Sequence, residues 1–454
     1  MVKIQKISQF QHSFQFKSSE ENFNLIYQKF SESNLGKIYH SIPWSELVKT
    51  FNLKKSSNKG PESVFSPQGK LGLMFLKHYA CCSDERLIEQ LNANVYFQIF
   101  CDILLSPEES IKNFKIVSQI RCELAENLDI HEVQKVLAKK WTPYMSELSN
   151  ATLDATCYES EVRYPTNLKL LWECVDWNYN QMKVMCKRLK IRLPRTKYLK
   201  WKDRYFLYSR KRRKPSKDKQ VLTRALLYLL LKLNDELDKI QLHNVFDISE
   251  KYLDRREIIY KIYQQQLQLF MTGEKPKDRI VSIVKSYLRP IVRGKEIKKV
   301  EFGAKVNKIQ IDGISFIEHL SFDAFNEGTR FQSSVRLSQE LTHTRLMVMG
   351  ADAIYATNAN RKFATEKNIR TDFCRKGRAG KHEEHRLQLA KFITKERASR
   401  LEGSFGKEKE HYHLKKVKAR TQKTETLWIF FGIHTANALE IGRRMAMAKQ
   451  LKTA

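Results

Sequence analysis

Several common signatures are missing from this chain of 454 residues. It holds eight cysteines but no Cys-x-x-Cys pair, which argues against a zinc ribbon or a thioredoxin-like site. Cys81 and Cys82 are adjacent, an arrangement that does not suit a regular disulfide frame, so free thiols in a reducing compartment are expected. No apolar signal core stands near the N-terminus. The most apolar run, Ala225 to Leu231, is bracketed by Arg224 and Lys232 and is too short to span a bilayer. Internal repeats, low-complexity segments and coiled-coil heptads are not evident. These absences lead to the expectation of a cytoplasmic protein that does not engage a membrane.

Acidic residues are in the minority, 50 Asp and Glu against 82 Lys and Arg, for a formal charge of +32. Hydrophobic residues make up 42% and aromatics 11%, enough to build packed cores rather than a disordered chain. A strongly basic globular protein most often meets nucleic acid; ribosome-like packaging and an anionic membrane surface are the rivals. The length allows two to four domains.

Residues 1–60 read as a poorly defined arm in which Phe10, Phe14, Phe16 and Phe23 are available for docking. Residues 61–145 read as a helical, DNA-binding-like domain. Leu71, Met74, Phe75 and His78 share one helical face, and Ser83 followed by Asp84 and Glu85 marks a helix start, with acids near the positive end of the dipole. Ile116 to Leu137 reads as one further helix. Residues 146–180 open a second domain with a strand, Ala151 to Cys157, and a helix from Asn167 to about Leu189.

Residues 181–295 form a basic helical insertion. Between Cys186 and Gln220 lie Arg195, Lys197, Lys200 and the run Arg210, Lys211, Arg212, Arg213, interleaved with Tyr198, Trp201, Tyr205, Phe206 and Tyr208. Such cations meet phosphates, while the rings either stack on bases or serve as ordinary core. Helical patterns continue from residue 221 to about Arg289-Pro290. Residues 296–454 then resume the strand pattern. Val300, Phe302, Ala304, Val306, Ile309 and Ile311 alternate with polar neighbours, and Asp312-Gly313 signals a hairpin turn. Helices are expected over Ser333 to His343, Asn360 to Lys367, Glu383 to Arg400 and Leu427 to Met447. A buried strand is expected over Leu346 to Ala351, and a basic loop over Gly377 to Lys381.

Three acids occupy suggestive places: Asp154 on the short apolar strand, Asp352 at the end of Leu346 to Ala351, and Glu402 after the helix that ends at Arg400. Carboxylates from neighbouring strands and a nearby helix suit paired hard cations that take oxygen ligands. Two such ions bracketing a phosphodiester support hydrolysis or transfer. Asp312 is expected to serve the turn. Asp323, Glu327, Glu159 and Glu161 are open to tuning the site but are expected on the surface, and His411 and His413 are not needed as ligands. Tyr355 and Asn358 are open to either DNA positioning or packing and capping.

The segments LDATCYESEVRYPTNLKLL (153–171), GISFIEHLSFDAFNEG (313–328), GADAIYATNANRKF (350–363) and LEGSFGKEKEHYHLKKVKAR (401–420) resemble the catalytic motifs of bacterial insertion-sequence transposases of the DDE type. SDERLIEQLNANVYFQIFCDILL (83–105) resembles the N-terminal domain of the same family. The resemblance covers about residues 40–445. It implies a mixed α+β (α/β) fold class: an RNase H-like core interrupted by a large helical insertion, with an all-helical N-terminal domain. It further implies two Mg²⁺ ions per site, replaceable by Mn²⁺, held by Asp154, Asp352 and Glu402. Lys409, seven positions after the glutamate, would contact terminal DNA phosphate, with Lys407 beside it. An arginine four positions before the glutamate is found in some relatives; here that place is Ala398, flanked by Arg397 and Arg400, and the role stays unassigned. The partners implied are double-stranded DNA (terminal inverted repeats and target DNA) and a second copy of the chain on paired ends, in a nucleoid-associated setting. A nuclease of the same fold without strand transfer, and a non-catalytic DNA-binding derivative, are the alternatives.

Overall fold

The computed structural model describes residues 19–53, 63–106, 108–243, 248–292, 300–378, 380 and 382–453. Phe10, Phe14 and Phe16 of the arm, and Ala379 and Lys381 of the basic loop, lie outside the described residues. The fold is mixed α+β, as expected. The chain divides into two compact units. One comprises residues 1–148, 340–343 and 431–454; the other comprises residues 149–339 and 344–430.

The first unit is helical: α1 (Ser19–Glu32), α2 (Asn34–Ser41), α3 (Trp44–Thr50), α4 (Pro67–Ala80), α5 (Asp84–Ala93), α6 (Val95–Phe100), α7 (Lys115–Glu126) and α8 (Ile130–Trp141). The face Leu71, Met74, Phe75, His78 of α4 is buried. Ser83 caps α5 by accepting the Arg86 N–H at 3.1 Å, so the predicted start holds. The single helix expected over Ile116 to Leu137 is instead two. Asp129 breaks it by accepting the N–H groups of His131 and Glu132, a side-chain cap that offers the backbone an alternative to continuing the previous helix. Phe75 meets Phe431 edge-on at 4.8 Å between ring centroids, and the Trp141 indole donates to the Ser41 carbonyl at 2.8 Å.

The second unit is built on a mixed sheet. Its strands are β1 (Asn150–Glu159), β2 (Pro290–Val292), β3 (Val300–Ile311), β4 (Ile314–Ser321), β5 (Val348–Ala351) and β6 (Arg370–Thr371). They run in the order β2-β3-β1-β5-β6, with β4 also paired to β3. β1 is antiparallel to β3 and parallel to β5, and β5 is parallel to β6. The β3–β4 hairpin turns at Asp312 (φ 47°) and Gly313 (φ 79°), two positive values in succession that match the Asp-Gly signal. Strands as short as β2 and β6 carry no readable periodicity, and the sequence pattern did not reveal them.

Between β1 and β2 lie the helices of the insertion: α9 (Asn167–Leu189), α10 (Tyr198–Arg210), α11 (Ser216–His243) and α12 (Glu250–Thr272). They share a core that includes Leu171, Trp172, Leu226, Leu230, Leu233, Ile259 and Ile262. Helix was expected to continue to Arg289; it stops at Thr272, where Gly273 takes a left-handed φ of 76° and closes the last turn onto Leu269. After the hairpin come α13 (Phe331–Thr342), α14 (Asn358–Glu366), α15 (Glu383–Glu396), a π-helical turn over Arg397–Glu402, α16 (Gly403–His411) and α17 (Gln422–Thr453). Helix α17 begins in the second unit, and from Phe431 onward its residues belong to the first. No helix among the described residues is long and apolar enough to cross a membrane. All eight cysteines are free thiols.

The β1–β3 register depends on Gly303. A Cβ there would lie 2.1 Å from the Tyr158 carbonyl oxygen of the partner strand, inside any allowed contact. Gly303→Ala is therefore expected to destabilise the second unit by roughly 1–3 kcal/mol through forced strand separation. Urea denaturation followed by circular dichroism measures this, and an unchanged midpoint would refute the register.

Candidate active site

Leu153 of β1 pairs with Ala351 of β5 in parallel register. The next residue on each chain is an aspartate, Asp154 and Asp352, so two acids from distant sequence come to neighbouring positions on one sheet. Asp154 is half-buried. Burial pushes its carboxyl up to about 6, while its own bond from the Ala155 N–H opposes the shift and the charges of Glu327 and Asp352 add to it. Asp352 caps the short turn Ala353–Tyr355 through the Ala353 N–H at 2.6 Å and exposes 58% of its side chain.

A helical arm formed by α15, the π-turn and α16 lies against this sheet. Ile393 packs on Gly350, where a Cβ would come within 2.4 Å of it. The Gln310 side chain reaches the Arg400 carbonyl at 3.5 Å. Deeper along the arm, Lys308, which faces Asp154 across the β1–β3 ladder, is fully buried. Its ammonium sits 2.7 Å from Glu408 and 2.7 Å from the Ser404 hydroxyl, with the Phe405 ring 4.2 Å away. The Tyr158 hydroxyl donates to the second Glu408 oxygen. Burial lowers the lysine and raises the tyrosine, and Glu408 serves both. The next residue, Lys409, donates to the Thr156 hydroxyl at 3.0 Å and lies 5.7 Å from the Tyr158 ring.

Glu402 ends the π-turn and is exposed, as is Lys407. Among the described residues, no three His, Cys, Asp or Glu side chains form a group able to hold a metal ion. The β1–β5 register brings Asp154 and Asp352 to neighbouring positions, and Glu402 stands exposed at the end of the π-turn. Carboxylate oxygens are the donors a hard divalent cation takes, so the aspartate pair fits Mg²⁺ in its chemistry.

Near this pair stand Asp372, which the sequence did not single out, and Arg397 and Glu327, which it named without settling a role. Asp372, just after β6, accepts the Ala351 N–H at 3.0 Å, and burial raises its carboxyl. Arg397 pairs with Asp352 at 3.6 Å. Glu327, expected on the surface, is mostly covered and pairs with Lys305 at 2.7 Å. Glu159 is likewise only half-exposed and pairs with Lys416. Tyr355 is fully buried and donates to Asn307 at 2.6 Å, a packing role. A cleft of about 870 Å³ lined by Arg361, Arg370, Arg375, Arg386, His382 and His385 opens beside β6, and two of these, Arg375 and His382, flank in sequence the basic loop expected over Gly377 to Lys381.

In the insertion, Arg195, Lys197, Lys200, Arg210, Lys211, Arg212 and Arg213 are exposed on or beside α10. The interleaved rings are mostly core. Tyr198 and Tyr208 are buried, Tyr205 stacks on Trp172 at 4.9 Å, and Trp201 is half-buried against the insertion core, with Arg204 at 5.1 Å and Lys200 at 5.7 Å from its ring.

Residues 24–123 match the family described as "Transposase domain (DUF772)". The match supports a transposase. No curated protein and no solved structure matches the chain. The matched residues lie in the helical first unit, whereas the aspartate pair lies in the second.

Two outcomes follow from this geometry. Removing one partner of the buried pair, as in Glu408→Gln, is expected to cost about 3–5 kcal/mol, and the apolar double variant Lys308→Met with Glu408→Leu to recover much of that. Denaturant midpoints of the three proteins decide it; additive losses in the double variant would contradict the pairing. Asp154 gives a pH test. Its folded value of about 6 lies above the ordinary 3.8, so its favourable contribution is complete below pH 3.8 and is lost as pH rises through 6. Asp154→Asn should therefore melt above the wild type at pH 8 in EDTA, by up to about 3 kcal/mol. The gap should close by pH 4, and a gap independent of pH would contradict the burial of this carboxyl.

Proposed function

We propose that the protein is a DDE-type transposase that binds the terminal inverted repeats of a mobile element, cleaves DNA strands and joins them to target DNA. The observation that carries this reading is the parallel β1–β5 register, which sets Asp154 and Asp352 side by side in a strongly basic chain. The sheet supports the RNase H-like part of it: antiparallel strands β4, β3 and β1 are continued by parallel β5 and β6, with the acids at the join.

In this reading Asp154 and Asp352 hold Mg²⁺, with Mn²⁺ as a substitute, and Glu402 is the third acid, brought in from the end of the π-turn. The bound ions would supply charge stabilisation and activation of the attacking oxygen. The chain's own residues position the DNA. Lys409, held over the sheet by Thr156, and exposed Lys407 face phosphate from α16. Arg195, Lys197, Lys200 and the 210–213 run hold backbone phosphates from the insertion, a sequence-independent contribution that weakens with salt. No covalent enzyme intermediate is needed, because positioning and electrostatics suffice for phosphoryl transfer. A dimer on two paired DNA ends, working in the nucleoid, completes the proposal.

The test uses the DNA ends that flank the coding region. Wild-type protein with Mg²⁺ is expected to nick them and to join pre-cut ends to a target plasmid. Asp154→Ala and Asp352→Ala are each expected to reduce nicking by at least about 10³-fold, a loss of some 4 kcal/mol in transition-state stabilisation, while gel-shift binding of the ends persists. Nicking retained in Asp154→Ala removes the aspartate pair from the mechanism; nicking without joining leaves a nuclease.

A further inference from the structure

Arg397 pairs with Asp352 and has no part in the reaction just described. Its guanidinium stands 3.6 Å from Asp352, and only 16% of the side chain is exposed. Its charge also acts on Asp154 and Asp372, opposing the effect of burial on both carboxyls. Asp372 is anchored at the same strand end through the Ala351 N–H, one residue before Asp352. Asp352 is thus paired with the Arg397 cation, whose charge reaches two further carboxylates on separate segments. That cation is not locked by a full set of hydrogen bonds, since the Arg397 Nε is buried and has no partner. An unsatisfied buried donor is costly, and such exceptions call for an explanation.

The backbone beneath Arg397 is unusual as well. Arg397 opens the π-helical turn Arg397–Glu402, a form that holds an extra residue relative to α-helix and recurs at functional sites. The turn sets Arg397 inward and leaves Glu402 exposed.

We propose that Arg397 is the built-in counter-cation of this site, and that a divalent ion arriving on Asp154 and Asp352 must displace its guanidinium from Asp352. This rests on the reading of the aspartates as the metal-holding pair. Two cations cannot claim the same carboxylate oxygens at this spacing without strong mutual repulsion, so arginine and metal compete. Asp372, already within the field of the guanidinium, gives it a second carboxylate when Asp352 is taken. The arginine therefore keeps the acids charge-balanced until metal arrives, and it sets the metal concentration at which the site fills.

The experiment is direct Mn²⁺ binding to the full chain, read from the loss of the free-ion electron paramagnetic resonance signal. Wild type, Arg397→Gln, Arg397→Lys and Asp352→Asn are compared, each checked for folding by circular dichroism. Arg397→Gln is expected to bind Mn²⁺ roughly tenfold more tightly than wild type, equivalent to about 1.4 kcal/mol. Arg397→Lys, with a shorter reach and the same charge, falls between them and carries the comparison alone should the glutamine variant not fold. Asp352→Asn loses the site. Equal or weaker binding in both Arg397 variants, with Asp352→Asn still inactive in binding, overturns the role of Arg397 and leaves the aspartate pair standing. Absence of Mn²⁺ binding in every chain overturns both.

Discussion

The buried contact between Lys308 and Glu408 is the constraint on which the candidate site depends. A lysine with no exposed surface is expensive, and it is tolerated here because Glu408 and Ser404 together give its ammonium a carboxylate and a hydroxyl, while Tyr158 occupies the other carboxylate oxygen. The consequence is directional. Lys308 and Tyr158 belong to neighbouring strands, whereas Ser404 and Glu408 belong to α16, so the network can be satisfied only with the arm seated on that face of the sheet. Everything the arm carries is positioned by the same requirement, including Arg397, Glu402, Lys407 and Lys409. An apolar contact of equal area would allow the helix to slide or rotate; a paired buried charge does not.

The electrostatics of the site run against those of the chain. The chain carries a formal charge of +32, but the sheet sets two carboxylates side by side where the β1–β5 pairing ends. Burial holds Asp154 at about 6, so its ionised form is poorly solvated and gains from any cation nearby. Under the proposed function, a phosphate backbone brought to the aspartates is repelled by them unless a cation stands between. The geometry asks for a cation at this point, and Arg397 is the one the chain itself provides.

Much of this was legible before the structure. Alternation in 300–311, the Asp-Gly turn and the Ser83 cap are local rules obeyed locally. Asp154 and Asp352 stood out because an acid within an apolar strand, or directly at its end, violates the pattern around it. What escaped were features decided by tertiary cover. The polar residues of β3 read as solvent-facing, yet Lys305, Asn307, Lys308 and Gln310 are buried, because the side of the sheet that alternation assigns to water is also covered. Arg397 could not be placed because the usual helical count puts Ala398 where a relative has arginine, and the extra residue of a π-turn is not written in hydrophobic periodicity. Asp372 was hidden because the strand it follows has two residues, too few to show a period.

The insertion resolves the ambiguity of its aromatic residues by geometry. Tyr198, Trp201, Tyr205 and Tyr208 follow steps of three, four and three, one face of a helix, and that face is turned into the insertion core against Trp172 and Tyr179. The rings are therefore spent on packing, and the cations between them are forced outward. Lysines and arginines on a helix fixed by stacked rings lose less freedom on meeting phosphate than the same residues on a loose loop, since the backbone is ordered beforehand. Under the proposed function the rings assist phosphate binding without touching a base: they hold the helix from which Lys200 and Arg210 project.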